Sequence, residues 1–316
     1  MQKEQLLKQK TCIEGGKGMK IVSLLPAASE ILCDLGVIDN IHAVSHECNY
    51  PELLKEKVQI TSSTIPSNME QKLINDAVSQ AIKNKLPLYN IDTDKLDSIN
   101  PDLIITQGLC DVCSISKNEI EATLKDKRCI LPSKTKIVSL NGKSFDEICS
   151  DVLTVGKHIN KEDIANNIVS KAKKTKIQMS NNHTNKSILL LEWIDPYFSA
   201  GHWIPEQIEM AGLKSALGKK GEKSRQISTD EIIQSDPDFI GLICCGYDLI
   251  QNKSFAKQVY DDERINHLTA IKDEKIYAFD SDSYFSRPSL RILEGAMQLR
   301  NAIIKKDNQY HCKRDI

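Results

Sequence analysis

Two distant stretches of this sequence share one pattern: KLDSINPDLIIT at residues 95–106 and DEIIQSDPDFIGL at residues 230–242. In each stretch a helical segment ends at a Pro-Asp pair, and an apolar run follows at once. Proline cannot continue a helix and pushes the preceding residue towards extended geometry, so a helix ends and a strand begins at both places. The repeated junction predicts two α/β lobes of similar build in one chain.

Outward from these junctions, compact apolar runs alternate with helical segments, which predicts parallel sheets throughout. A capping box opens a helix at Ser144, and the helical pattern that follows continues to about Gln178 without a Gly/Ser-rich linker. We therefore expect an N-terminal lobe at 19–158, a bridging helix at 159–181 and a C-terminal lobe at 182–316. The predicted strands lie at 20–24, 41–45, 86–89, 103–106, 136–140, 187–191, 239–243 and 275–279.

The overall composition is that of an ordinary globular protein, and its 316 residues are enough for two domains. The net charge of −1 gives no global attraction to nucleic acid or to acidic membranes. The most apolar N-terminal stretch, 21–36, contains Pro26, Glu30 and Asp34 and is too short and too charged to span a bilayer. We expect a monomer that neither binds nucleic acid nor inserts into a membrane.

The sequence shows no export signal. Cys33 follows Ile31 and Leu32, where a lipoprotein cleavage site needs small residues. Ten cysteines without such a signal favour reduced thiols over disulfides, so we expect a cytoplasmic location. Residues 1–18 are polar and lack a strand pattern, which makes Met19 a candidate for the true start; a short disordered tail is the alternative.

Distinctive clusters follow five predicted strands. In open parallel sheets, ligands bind beyond the carboxyl ends of the strands, so these clusters are candidate site residues. The clusters are His46-Glu47-Cys48, Cys110-Asp-Val-Cys113, Glu192-Trp193-Ile-Asp195, Cys244-Cys245-Gly246-Tyr247, and the segment 280–287 with Tyr284 and Arg287.

The cysteines are candidate metal ligands. Cys110 and Cys113 have the spacing at which two thiolates reach one metal ion, and His46 and Cys48 are candidate further ligands, with Cys245 as a tentative addition. Zinc or iron suits such ligands. A reversible disulfide between Cys110 and Cys113 and an inert pair are the alternatives.

Aromatic residues concentrate in one short segment of the second lobe. Trp193, Tyr197 and Trp203, with His202 among them, fall in a predicted loop, and aromatic side chains on loops usually contact a flat or apolar ligand. Core packing is the alternative. Arg287 is suited either to holding an anionic group or to pairing with a nearby acid. Nucleotide-binding glycine loops, serine-hydrolase elbows and HExxH motifs are absent from the sequence.

Taken together, these segments resemble the cobalamin-binding branch of the periplasmic-binding-protein superfamily with a helical backbone, which also includes siderophore, haem and metal receptors. The resemblance extends from Met19 to about Ile304. It implies two Rossmann-like lobes bridged by a long helix, a ligand in the cleft between them and modest closure. The matching segments are IVSLLPAASEIL at 21–32, SHECNYP at 45–51, LCDVCSIS at 109–116, LEWIDPYFSAGHW at 191–203, CCGYD at 244–248 and YFSRP at 284–288.

The resemblance implies a non-enzymatic protein that binds cobalamin, another corrinoid or a related metal chelate. Its partner is then an ABC importer or, for a cytosolic protein, a corrinoid-handling protein. Aromatic rings would pack against the macrocycle, His46 or His202 would approach the metal, and Arg287 would hold a peripheral polar group. The expected ligand-binding residues are His46, Glu47, Glu192, Trp193, Asp195, Tyr197, His202, Trp203, Tyr247, Tyr284 and Arg287.

Two other functions stay open. One is a cytosolic protein that binds bare zinc or iron through its thiolates. The other is an enzyme in the same cleft, with Glu47 or Glu192 as general base and a cysteine as nucleophile. No residue pattern specifies its reaction.

Overall fold

The computed structural model describes residues 18–66, 69–108, 135–179 and 183–314. Within them, the first lobe contains a five-stranded parallel sheet in the order β3-β2-β1-β6-β7, and a separate antiparallel pair, β4-β5. The strands are β1 (Ile21–Ser23), β2 (Ile41–Val44), β3 (Val58–Gln59), β4 (Thr61–Ser63), β5 (Tyr89–Ile91), β6 (Leu103–Gln107) and β7 (Lys136–Leu140).

The second lobe contains a six-stranded mixed sheet in the order β11-β9-β8-β12-β13, with β10 paired to the start of β8. The pairs β8-β12 and β12-β13 are parallel, whereas β9 runs antiparallel to both β8 and β11. The strands are β8 (Ser187–Ile194), β9 (Tyr197–Ser199), β10 (Lys214–Ser215), β11 (Arg225–Gln226), β12 (Phe239–Leu242) and β13 (Ile276–Ala278).

Helices join these strands and connect the two sheets. Of the two that lie between the sheets in the chain, α5 has 18 residues and a length of about 27 Å. The helices are α1 (Pro26–Asp34), α2 (Gln71–Lys83), α3 (Thr93–Ile99), α4 (Phe145–His158), α5 (Glu162–Met179), α6 (Ile204–Met210), α7 (Thr229–Ser235), α8 (Leu249–Ser254), α9 (Ala256–Asp261), α10 (Thr269–Lys272), α11 (Ser281–Tyr284) and α12 (Ile292–Ile303).

The two Pro-Asp junctions have the same structure. α3 and α7 each end one residue before a left-handed residue, Asn100 with φ 54° and Asp236 with φ 35°. Asn and Asp tolerate this conformation better than most residues, and the proline after each one prevents further helix. The predicted helix-to-strand transition is therefore confirmed at both places.

The aspartate of each junction also has the same partner. Asp102 Oδ2 accepts a hydrogen bond from the backbone N of Lys20, just before β1, at 3.0 Å. Asp238 Oδ2 accepts one from the backbone N of Ser187, the first residue of β8, at 2.9 Å. In both lobes the Pro-Asp strand thus pairs parallel to the lobe's first strand and fixes its start. The sequence repeat reflects a structural repeat.

The prediction of parallel sheets throughout is wrong in two places. The strand expected at 86–89 is instead β5, which pairs antiparallel with β4 outside the main sheet. The aromatic segment expected to be a loop is largely a hairpin, because β8 extends to Ile194 and turns back through β9. Aromatic and β-branched residues favour strands as well as ligand-binding loops, so the local pattern did not separate the two.

One apolar cluster runs through both lobes. It includes β1 and α1 residues of the first lobe, Phe145 and Val155 of α4, and Trp203 and Ile292 of the second lobe. This cluster connects the two lobes, while two smaller buried clusters each lie within a single lobe. Among the described residues, no helix has both the length and the apolar character needed to cross a membrane.

Candidate functional site

His46 lies just beyond the carboxyl end of β2 and is half-buried. Its backbone N donates to Thr61 Oγ1 at 3.0 Å, and its Nδ1 lies 2.7 Å from the same oxygen. Its ring centroid is 5.8 Å from that of Tyr89 on β5. Burial lowers the pKa of His46, so the imidazole is neutral near pH 7.

Glu47, the next residue, has a carboxyl group that is exposed to solvent and also closely surrounded by protein atoms. Its side chain keeps exposed surface, yet the surrounding protein raises its pKa to about 7, first by desolvation and then through the charge of Asp282, with Arg287 opposing. Because Asp282 belongs to the second lobe, Glu47 lies where the lobes meet.

The second lobe contributes aromatic rings at the ends of β8 and β12. The rings of Trp193 and Tyr247 have centroids 6.0 Å apart, and Tyr247 in turn contacts Phe255 edge-on at 5.0 Å. Trp193 Nε1 donates to the backbone oxygen of Asp195 at 3.1 Å, which fixes the indole orientation. All three residues are half-buried, so each keeps some exposed surface at these strand ends.

Backbone hydrogen bonds hold the loops at these strand ends together. Cys245 N donates to Glu192 O at 3.1 Å, which links β8 to the segment after β12. Gly246 N donates to Ser286 Oγ at 3.3 Å, and Ser281 N donates to Tyr247 O at 3.0 Å. Glu192 Oε1 also accepts from Gly201 N at 3.4 Å. The predicted clusters at 192–195, 244–248 and 280–287 therefore form one surface.

A buried ionic group, here called the Glu30 cluster, joins the lobes on one flank. It consists of Glu30 of α1 with Arg287, Ser289 and Arg291 of the second lobe. Glu30 Oε1 lies 3.0 Å from Arg287 Nη1 and 3.1 Å from Arg291 Nη1, and Glu30 Oε2 accepts from Ser289 Oγ at 2.5 Å. The side chains of Glu30 and Arg287 are 2% and 3% exposed.

Two further residues extend the Glu30 cluster towards the cleft. Arg287 Nη2 donates to Asn49 Oδ1 and to Asp282 Oδ1, both at 2.7 Å. Asn49 Nδ2 donates to Asp282 Oδ2 at 2.8 Å. Arg287 is thus paired with acids and an amide, and its guanidinium is buried among them. This is the alternative that the sequence left open for Arg287, namely pairing with a nearby acid.

A second buried carboxylate, here the centre of the Glu206 cluster, joins the lobes beside the bridging helix. Glu206 of α6 accepts from the backbone N of Phe145, the first residue of α4, at 2.7 Å. It also accepts from Lys176 of α5 at 2.6 Å and from Lys220 at 2.7 Å. Burial opposes ionisation of Glu206, but the hydrogen bonds from these groups outweigh it and lower the pKa.

Gln71, the first residue of α2, crosses from the first lobe to the second. Its Oε1 accepts a hydrogen bond from the backbone N of Ile194, the last residue of β8, at 3.0 Å. The side chain also contacts the thiol of Cys244, two residues beyond β12. Gln71 therefore lies between the carboxyl ends of the two central strands of the second lobe.

Four predicted ligand residues are already engaged by the protein: Arg287 by the Glu30 cluster, and three others by partners inside the second lobe. Tyr197 is buried and donates to Asp262 Oδ2 at 2.8 Å. Trp203 is buried and donates to Phe285 O at 3.1 Å. Tyr284 stacks on the guanidinium of Arg291 at 4.6 Å. The ligand-binding roles of Tyr197, Trp203, Tyr284 and Arg287 stay predictions, and these contacts give them no support.

His202 differs from those four. Its ring stacks on Trp203 at 5.8 Å, but its Nδ1 is buried without a hydrogen-bond partner among the described residues. Burial, reinforced by Lys143 and Lys223, lowers the pKa of His202. A neutral imidazole with a free nitrogen has the form that a metal ion or a ligand donor requires.

The two candidate thiols among the described residues, Cys48 and Cys245, lie in different environments. Cys48 is buried in the core, where its Sγ lies 3.1 Å from Ser29 Oγ and 3.4 Å from Ser45 Oγ, and burial raises its pKa. Cys245 is exposed at the end of β12. Cys110 and Cys113 lie outside the described residues. Within the described part of the chain, no group of three or more His, Cys, Asp and Glu residues is arranged to hold a metal ion.

The sequence patterns did not identify three residues that connect the lobes, namely Gln71, Asn49 and Glu206. They also did not identify the partners of Glu30. Glu30 did carry a signal, because it is the single charge inside the otherwise apolar run 27–33. A charge in a buried helix face needs a partner, so this position predicts a buried cation elsewhere. Nothing local marks Gln71 or Glu206.

Two lobes whose facing strand ends carry the candidate residues define a bilobal ligand-binding protein. The sequence model of the family described as "Periplasmic binding protein" matches residues 21–283. The chain belongs to this family, and the superfamily predicted from the sequence motifs is confirmed.

Comparison with known proteins adds individual relatives. The chain is 23% identical over 293 residues to an uncharacterized ABC transporter substrate-binding lipoprotein, YvrC of Bacillus subtilis (strain 168), covering 90% of this chain and 79% of the relative. A possible iron-binding (periplasmic solute-binding) protein from Staphylococcus epidermidis has a similar structure, with TM-score 0.67, 23% identity and coverage of 91% and 99%. The periplasmic vitamin B12 binding protein BtuF of Vibrio cholerae aligns with TM-score 0.61, 18% identity and coverage of 91% and 98%.

These relatives overturn the expected cytoplasmic location. The curated relative is a lipoprotein, and the two solved structures are of periplasmic proteins, which points to a location outside the cytoplasm. The expectation rested on the lack of a recognised export signal and on the ten cysteines. The stretch 21–36, with Cys33, contains β1 and α1 of the folded lobe and is not itself a signal segment.

Proposed function

We propose that the chain is the substrate-binding component of an ABC importer, and that it binds a corrinoid or a related metal chelate in the cleft between the lobes. The observation that carries the proposal is the half-buried aromatic surface of Trp193 and Tyr247 at the ends of β8 and β12. Flat macrocycles bind to such surfaces through large apolar contact at low cost in side-chain entropy. The family and its relatives, all described as binding proteins, favour a non-enzymatic role.

The residues on the two sides of the cleft are suited to different parts of a metal chelate. The rings of Trp193 and Tyr247 are suited to the face of a macrocycle, whereas His46 and His202 offer neutral imidazoles to a metal. Glu47 and Asp282, close to one another, are suited to hydrogen-bond donors on the ligand periphery, such as amides. A cavity of about 590 Å³ beside α6 is lined by His183, Thr184 and Lys214 at the start of β8, the opposite end of that strand. We do not assign the ligand to it.

Bare zinc or iron bound by thiolates is the second candidate. The pair Cys110 and Cys113 is its basis, and the exposed thiol of Cys245 at a strand end is the described residue that favours it. The buried Cys48 thiol contributes nothing to this candidate.

An absorbance spectrum and elemental analysis of the protein, purified under reducing conditions with and without cyanocobalamin, test both candidates. Corrinoid bands with about one cobalt per chain support the first. Stoichiometric zinc or iron without corrinoid uptake contradicts the first and supports the second. Parallel titrations with haemin and with a ferric siderophore test whether the ligand is a metal chelate other than a corrinoid.

The variant Trp193→Ala tests the aromatic surface directly. We expect its affinity for the bound chelate to fall about tenfold or more, because a central aromatic contact is lost. Ile250→Ala, which removes a side chain 78% exposed on α8, is the matched control and should leave the affinity unchanged. Equal affinities in the two variants would place the ligand elsewhere.

A further inference from the structure

The α2 helix (Gln71–Lys83) is attached to the rest of the protein in an unusual way. Of its 13 residues, the first, Gln71, is the only buried one. Leu73 and Ile82 on the same helix are 49% and 51% exposed. Helices in proteins are held mostly by the face they bury. The rest of α2 packs only through a half-buried face, so Gln71 is its one fully buried attachment; that face consists of Ile74, Ala77, Val78 and Ala81.

That residue is fixed to the opposite lobe by a single good hydrogen bond. Gln71 Oε1 accepts from the backbone N of Ile194 at 3.0 Å, while Gln71 Nε2 is buried and has no hydrogen-bond partner in the part of the chain that the structure describes. The side chain beside it is the Cys244 thiol, whose pKa burial raises to about 12, with the Gln71 contact opposing. A neutral thiol is a weak acceptor, so half of the amide is poorly satisfied and the attachment is easily broken.

We propose that Gln71 is a latch that holds α2 against the second lobe, and that its release admits and frees the ligand. The inference rests on the proposed function, since it takes the ligand to lie at the ends of β8 and β12. Gln71 lies between those two strand ends, so a ligand that reaches them must displace the Gln71 amide or bind beside it. The unsatisfied Nε2 then becomes a donor for an acceptor on the ligand, such as a side-chain amide oxygen.

Three variants distinguish a latch that depends on the Gln71 hydrogen bond from a side chain that only fills space. Gln71→Met keeps length and apolar contact but removes the acceptor for Ile194 N–H. Gln71→Glu keeps an acceptor and removes the donor. Gln80→Met makes the same chemical change on an exposed position of the same helix and serves as control.

The first measurement is amide hydrogen exchange in the ligand-free protein, followed at Ile194 and along 71–83. We expect Gln71→Met to speed exchange at both places about three- to tenfold, as for the loss of one hydrogen bond, with Gln71→Glu and Gln80→Met close to the wild type. Unchanged exchange in Gln71→Met would overturn the latch. This readout needs no ligand, so it decides the latch even if every tested chelate fails to bind, an outcome that would contradict the proposed function alone.

The second measurement is stopped-flow binding of cyanocobalamin, or of whichever chelate the titrations identify. Gln71→Met should raise both the association and the dissociation rate, because a gate affects entry and exit together, and the dissociation rate should rise more because the Nε2 donor to the ligand is also lost. A rise in the dissociation rate alone would mean that Gln71 is an ordinary ligand contact, and it would overturn the gating role.

Discussion

The Glu30 and Glu206 clusters perform the same task with different cations. Each places a buried glutamate of one lobe in contact with the other lobe, but Glu30 is paired with arginines and Glu206 with lysines. The Arg287 and Arg291 side chains are 3% and 11% exposed, whereas Lys176 and Lys220 are 25% and 44% exposed. The first cluster is enclosed by protein, and the second is open to water on its cationic side.

The difference follows from the chemistry of the two cations. A guanidinium keeps its charge and presents a rigid fork of donors, so Arg287 donates to Glu30, Asn49 and Asp282 at once. An ammonium is compact and strongly hydrated, so a lysine cluster remains partly solvated. We infer that the Glu30 cluster fixes the relative position of the lobes more firmly than the Glu206 cluster. Both oppose wide opening of the cleft.

The largest effect is expected from Arg287→Ala. It leaves the carboxylates of Glu30 and Asp282 short of a partner in a buried place, and loss of one partner of such a group costs about 3–5 kcal/mol of unfolding free energy. Urea denaturation measures it. Arg225→Ala removes an arginine 51% exposed and paired with Glu231, so it should cost less than about 1 kcal/mol. Similar losses of unfolding free energy in the two variants would show that the burial of Arg287 does not increase its contribution to stability.

A smaller effect is expected from Glu206→Gln. The amide oxygen still accepts from Phe145 N, but the charge that pairs with Lys176 is lost, so we expect a loss of about 2 kcal/mol in urea denaturation. Lys220→Ala, at the exposed side of the same cluster, should cost within about 1 kcal/mol. If Glu206→Gln lowered the unfolding free energy as much as Arg287→Ala, the Glu30 cluster would not hold the lobes more firmly than the Glu206 cluster.

The smallest effect is the pH dependence caused by Glu47, at the border of the Glu30 cluster. The fold raises the pKa of Glu47 from 4.5 to about 7, so between these values the folded state holds a proton that the unfolded chain has lost. This group therefore lowers stability as pH rises from about 4.5 to about 7. Because the side chain keeps exposed surface, we expect about 1 kcal/mol or less.

The variant Glu47→Gln tests whether Glu47 lowers stability as the pH rises. Its stability relative to the wild type should increase between pH 4 and pH 8, measured by urea denaturation across the range. Asp34 and Asp151, whose pKa values burial raises to about 6, are present in both proteins and cancel in the difference. The control Glu52→Gln changes a side chain that is 91% exposed and should show no such trend. A flat difference for Glu47→Gln would mean that the carboxyl is fully hydrated.

Much of the fold was predictable because its signals are local. The two Pro-Asp junctions, the Ser228 capping box with Glu231, and the apolar strands on either side of them appear in the structure as predicted. The candidate site was only partly predictable. His46, Glu47, Trp193 and Tyr247 were selected because they follow predicted strands, and their ligand-binding roles stay predictions. The same rule also selected Arg287, whose partners it could not identify.

The amino-acid sequence by itself determined the duplicated α/β lobes, the helical connection between them and the family, since helix ends, strand patterns and short motifs depend on neighbouring residues. The tertiary structure alone decided that β9 turns the aromatic segment into a hairpin, that Arg287 is paired with Glu30, and that Gln71 reaches Ile194. Those contacts join residues separated by 257 and 123 positions in the chain. Their partners are set by how two separately patterned lobes pack together, and no local pattern encodes that packing.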